Sequence, residues 1–98
     1  MLREMTNAEI IDVLNDMANL LRLKKESIFK IRAYEKVASA ITEMSEDVGT
    51  LVKENRLREI PGVGDAIEKK ITELVTTGKL EYYERLKAEN SGEKDGQA

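Results

Sequence analysis

The stretch Leu57-Arg58-Glu59-Ile60-Pro61-Gly62-Val63-Gly64-Asp65-Ala66-Ile67 decides how this chain folds. It holds the only proline and two of the six glycines, packed into four residues, the composition of a tight turn. Leu57 and Ile60 precede the turn, and Ile67, Ile71, Leu74 and Val75 follow it at helical spacing. The pattern predicts two helical segments, spanning 57–75, that close on one shared core. Asp65 is the expected cap of the second segment and Gly78 its stop.

The turn also carries chemistry. Its glycines let the backbone bend sharply and leave no Cβ in the way of a ligand. The helix that follows offers unpaired N–H groups and the positive end of its dipole. Together these predict an anion site at Gly62, Val63, Gly64, Asp65 and Ala66, suited to a nucleic-acid phosphate. Contacts of that kind position a protein on DNA without reading its sequence. A plain helix-to-helix turn has the same composition; the apolar residues on both flanks favour the phosphate site.

Upstream, Thr6-Asn7-Ala8-Glu9 fits a capping box, and Ile10, Leu14, Met17 and Leu21 follow on one helical face. Ser27 is positioned to cap a second helix that carries Ile31, Tyr34, Val37, Ala38 and Ile41 to Met44. Ser45 is the expected cap of a short third helix through Val52, and a last helix is expected from Leu80 to Ala88. Residues 1–5 read as a flexible lead-in, 6–89 as one helical domain, and 90–98 as a polar, disordered tail. The fold class is all-α, a small bundle of about five helices.

With 98 residues there is room for one domain. Hydrophobic residues make up 41%, with one Phe and no Trp, so the core falls to aliphatic side chains. The absence of cysteine and histidine removes disulfides, thiolate metal sites and the usual general base. No apolar stretch approaches a membrane span, so an intracellular protein without membrane contact is expected. The net charge of -3 counts against a DNA-coating protein. It leaves a local phosphate site open, because screening acts within about 8 Å at physiological salt.

Two lysines stand out. Lys70 lies on the border of the apolar stripe of the hairpin's second helix, while Lys69 points to the opposite side as a solvated charge. Lys70 has two readings: a snorkelling side chain, or a nucleophile that forms a Schiff base once its pKa is lowered. Lys30 sits in the first turn of the second helix, four residues before Tyr34, which makes the two side chains neighbours. It reads equally as a phosphate contact beside the Tyr34 hydroxyl and as a plain exposed charge. Phe29 could stack on a base or pack against the first helix. Arg32 and Lys36 share an outer face that suits solvent or DNA.

Four stretches now come together: Phe29-Lys30-Ile31-Arg32-Ala33-Tyr34, Ile60-Pro61-Gly62-Val63-Gly64, Lys69-Lys70-Ile71 and Thr77-Gly78-Lys79-Leu80. In this order and spacing they resemble the N-terminal, lyase-type domain of family X DNA polymerases, and Leu57 to Leu74 resembles a helix-hairpin-helix motif. The resemblance covers Asn7 to Leu86. It implies binding of gapped or nicked DNA at a 5′-phosphate, in base excision repair, beside the polymerase domain of a longer chain. It also implies that Lys30 and Tyr34 belong to the phosphate pocket and that Lys70 matches the nucleophile of members with deoxyribose-phosphate lyase activity. Backbone carbonyls of Arg58, Ile60 and Val63 would hold Na+ or K+; no other cofactor is implied. Two positions depart from the lyase-active members, with Ala66 and Tyr82 where those carry basic residues. Glu59, Asp65, Glu68 and Glu81 deepen that charge deficit.

Three functions follow: a sequence-independent DNA-binding module, a lyase acting through Lys70, and a protein-interaction bundle that never touches DNA. Polymerisation needs a nucleotide-binding domain and paired metal-binding aspartates, for which these residues leave no room. Whether the chain is a fragment or free-standing is open.

Overall fold

The computed structural model describes residues 5–96, with side chains described through residue 90. Five α-helices follow one another among them: α1 Asn7–Leu23, α2 Ile28–Glu43, α3 Val48–Lys53, α4 Asp65–Thr77 and α5 Glu81–Gly96. A short 3-10 turn at Leu57–Glu59 precedes the hairpin bend. The described chain is all-helical, as the periodicity predicts.

Local chemistry sets most of the boundaries. At the start of α1 the Glu9 amide donates to the Thr6 hydroxyl at 3.1 Å, and the Thr6 amide donates to the Glu9 carboxylate at 2.9 Å. Two orphan donors are thereby met reciprocally. Ser27 accepts from the Phe29 amide at 3.2 Å to begin α2. α1 closes through Lys25 in the left-handed region, at φ 61°. There the Glu26 amide reaches the Leu21 carbonyl and the Lys25 amide the Arg22 carbonyl, both at 3.0 Å. Asn55, at φ 57°, closes α3 in the same way. A left-handed lysine costs about 1 kcal/mol or more, which the satisfied carbonyls offset.

The third helix departs from expectation. It begins at Val48, not directly after Ser45, and Asp47 in the cap position makes no side-chain bond to it. The Val48 amide donates instead to the side-chain oxygen of Asn7 at 2.9 Å, while the Asn7 side-chain nitrogen donates to the Glu46 carbonyl at 2.9 Å. One amide side chain thus ties the start of α3 to the start of α1. Ser45 lies too far upstream to serve a helix that starts at Val48.

The core is aliphatic. Ile10, Leu14, Met17 and Leu21 of α1 meet Ile31, Tyr34, Val37 and Ile41 of α2, the most extensive helix pair. Leu57 and Ile60 before the turn, and Ile67, Ile71 and Leu74 after it, bring both arms of the hairpin into the same cluster. Leu80 and Leu86 join from the C-terminal side. Each such side chain contributes about 1.5–3 kcal/mol when fully buried. Met5, expected in a loose lead-in, packs partly buried against this core; residues 1–4 lie outside the described residues.

Gly78 ends α4 at φ 78°, donating to the Leu74 carbonyl at 2.8 Å. α5 then starts at Glu81 and is helical to Gly96, so the stretch from Asn90, expected as a disordered tail, is helical as far as Gly96. No Gly or Pro interrupts the chain from Glu81 to Ser91, and helix propagation needs no apolar face of its own. An exposed Lys24–Glu89 ion pair at 2.7 Å links α5 to the end of α1. Residues 97 and 98 lie outside the described residues. No described helix is long and apolar enough to cross a membrane.

Candidate functional site

The two glycines of the turn do different work. Gly62 stands at φ +92°, a conformation other residues adopt only under strain. A Cβ built on it would lie 3.3 Å from Lys36 Cδ and from Val37 Cγ2, so the turn presses closely on α2. Gly64 is extended, at φ -108° and ψ -168°, where any residue is comfortable. A Cβ there would meet nothing within 4 Å. Gly62 makes the bend; Gly64 keeps space open in front of it.

That space faces unmet donors. The amides of Gly62, Gly64, Asp65, Ala66 and Ile67 have no acceptor among the described residues, and the first bond of α4 runs from the Glu68 amide to the Gly64 carbonyl at 2.9 Å. Val63 differs from expectation: its amide donates to the Ile60 carbonyl at 3.1 Å and its side chain is buried, so it offers no donor. The cap of α4 also differs. Gly64 occupies that position and Asp65 is the first helical residue. The Asp65 carboxylate is held by Arg58 at 3.3 Å and Lys69 at 3.5 Å, and Arg58 also reaches Glu68 at 3.1 Å. Two acids that weaken the site on paper are therefore already paired. A third, Glu59, is paired with Arg56 at 2.9 Å, which lowers its pKa.

Between α2 and the start of α4 lies a cleft of about 380 Å³. Lys30 and Tyr34 line it from α2, Gly62 and Gly64 from the turn, and Asp65, Ala66 and Lys70 from α4. Most of the residues singled out in the sequence thus share one wall-to-wall space. Phe29 does not line it; the ring is 81% exposed, which excludes packing against α1. Lys30 is exposed at the cleft rather than sunk in the apolar face of α2.

The cleft is rich in donors. Tyr34 is buried among core residues, and its hydroxyl makes no hydrogen bond among the described residues. Burial, and to a lesser degree Tyr82, push its pKa up to about 12, so the group stays a donor at neutral pH. Lys70 is half-buried, and its pKa is lowered by burial first and by the Lys30 charge second, with Glu73 opposing. Glu73 is itself engaged, accepting from the Glu81 amide at 2.9 Å. Neither Lys30 nor Lys70 forms an ion pair among the described residues, Glu73 acting on Lys70 through its charge alone. Both amines lie over one aromatic ring: Lys70 Nζ is 4.7 Å and Lys30 Nζ 5.7 Å from the centre of Tyr82. In the sequence Tyr82 is legible only as a missing charge, because its place depends on where α5 crosses.

The carbonyl set expected to hold a cation can be judged on its donors. The Arg58 and Val63 carbonyls accept no hydrogen bond among the described residues, and Ile60 keeps one lone pair beside the Val63 amide. Among the described residues no acidic cluster could hold a metal ion. Free carbonyl oxygens with no carboxylate among them are a donor set chemically suited to a monovalent cation.

Unmet amides, a phenol and two amines outside any ion pair make a space suited to an anion with several oxygens. A family model described as a helix-hairpin-helix domain matches residues 5–80 of the chain.

Proposed function

We propose, for a chain that belongs to the helix-hairpin-helix domain family, that it binds DNA through the hairpin without reading sequence. The ligand we assign is gapped or nicked DNA with a 5′-phosphate, bound as by the N-terminal domain of a DNA repair polymerase. One observation carries this reading: the unmet amides from Gly62 to Ala66 share a single cleft with Lys30, Tyr34 and Lys70. The amides take phosphate oxygens at the helix start, and the two lysines supply charge that the backbone lacks. A monovalent cation on the Arg58, Ile60 and Val63 carbonyls would add one positive charge facing the strand. Exposed Phe29 offers a stacking face to an unpaired base.

With so few phosphates neutralised, affinity is micromolar or weaker and falls with added salt. Titration of a labelled gapped duplex, carrying either a 5′-phosphate or a 5′-hydroxyl, tests the reading. The phosphorylated form is expected to bind about tenfold more tightly, the worth of one charge-assisted contact. Equal affinity for the two forms contradicts the 5′-phosphate assignment; no binding to either contradicts DNA binding.

A second reading has an observation of its own. Lys70 is half-buried, lies beside Lys30 and forms no ion pair, and burial and the Lys30 charge outweigh Glu73, so more of its amine is neutral near pH 7 than for an ordinary lysine. In this reading the Lys70 nitrogen attacks the aldehyde carbon of a 5′-deoxyribose phosphate, water leaves, and a Schiff base forms.

A further inference from the structure

Tyr82 stands where the resemblance in the sequence places a cation, yet its ring lies within reach of two cations. Its ring centre is 4.7 Å from Lys70 Nζ and 5.7 Å from Lys30 Nζ, both within the range of cation–π attraction. The Tyr82 hydroxyl makes no hydrogen bond among the described residues, and it is the ring that the two amines meet. Tyr82 also bounds a second cleft, of about 480 Å³, that shares Asp65, Ala66 and Lys70 with the first. Two like charges on flexible stems would otherwise repel and diverge into solvent. Glu73 attracts Lys70 through its charge but forms no ion pair with it, its Oε2 accepting from the Glu81 amide at 2.9 Å.

We propose that Tyr82 is a positioning residue for the anion site, its ring gathering the Lys30 and Lys70 amines at the cleft before any phosphate arrives. This rests on the reading of the cleft given above. It makes an aromatic ring a substitute for a third charge: the ring lowers the cost of assembling two cations without adding a counter-charge that would compete with the ligand. The ring is the working part, so the hydroxyl is dispensable.

Two variants separate ring from hydroxyl. Tyr82→Phe is expected to keep the full preference for a 5′-phosphorylated over a 5′-hydroxyl gapped duplex. Tyr82→Leu is expected to lose about two- to fivefold of that preference, the worth of an exposed cation–π contact. Equal preference in Tyr82→Leu and the parent overturns the proposal and leaves the phosphate site standing. A second measurement needs no DNA. In the folded protein, NMR should find the ε-methylene protons of Lys30 and Lys70 shifted upfield by the ring. The shift should persist in Tyr82→Phe and vanish in Tyr82→Leu; methylene shifts identical in all three proteins overturn the proposal even if no duplex binds.

Discussion

A Gly64→Val variant is expected to fold as the parent does and to bind gapped DNA about a hundredfold more weakly, the loss of two or so amide contacts to a charged oxygen. The backbone at Gly64 is extended, so a β-branched residue fits it without strain. Its Cβ would meet nothing within 4 Å, and Gly64 lines the cleft, so the added carbons stand in the space the phosphate needs. Some stability is lost, because valine is a poor cap, by about 1 kcal/mol. A thermal melt alongside the titration separates the two effects. A folded variant that binds as the parent does contradicts the hairpin mechanism.

The second large effect concerns Lys70. If the chain is a lyase, borohydride trapping on DNA bearing a 5′-deoxyribose phosphate is expected to give a covalent adduct, and Lys70→Ala to abolish it. Hydride reduces the carbon–nitrogen double bond to a stable secondary amine, so the adduct reports the Schiff base itself. The pH dependence has a definite sign. The attacking form is the neutral amine, and burial together with Lys30 lowers the Lys70 pKa. Trapping should therefore rise with pH and level off at a lower pH than for an exposed lysine. No adduct from the intact protein, or equal trapping by Lys70→Ala, removes the lyase reading and leaves DNA binding untouched.

What was legible in the sequence was legible because it is local. Thr6 with Glu9, Ser27 with Phe29, and Gly78 are each set by residues within one turn. The apolar spacing around Pro61 to Gly64 predicted that both arms of the hairpin share a core, and Leu57, Ile60, Ile67 and Leu74 are all buried. The features that escaped are those that distant residues decide. Asn7 caps α3 from 41 positions away, and no window of sequence contains both partners. Lys25 and Asn55 take left-handed conformations that glycine more often signals. Asp65 reads as a cap because caps prefer short polar side chains; an acid also suits the first helical turn, and glycine, itself an accepted cap, holds the position at Gly64. Tyr82 could not be read as a partner of Lys30 and Lys70 until three helices were placed together. Five amides in a row also read as five donors, whereas the turn spends Val63 on Ile60. Lys30 reads equally as a phosphate contact and as a plain exposed charge, and its place at the cleft depends on where the hairpin packs against α2.

Amide NMR during titration with a 5′-phosphorylated gapped duplex is the most direct test. The amides of Gly62, Gly64, Asp65 and Ala66 should move together and saturate at one midpoint, while the Val63 amide, already bound internally, moves least. Should those four resonances stay still while others shift, the phosphate is not held at the hairpin.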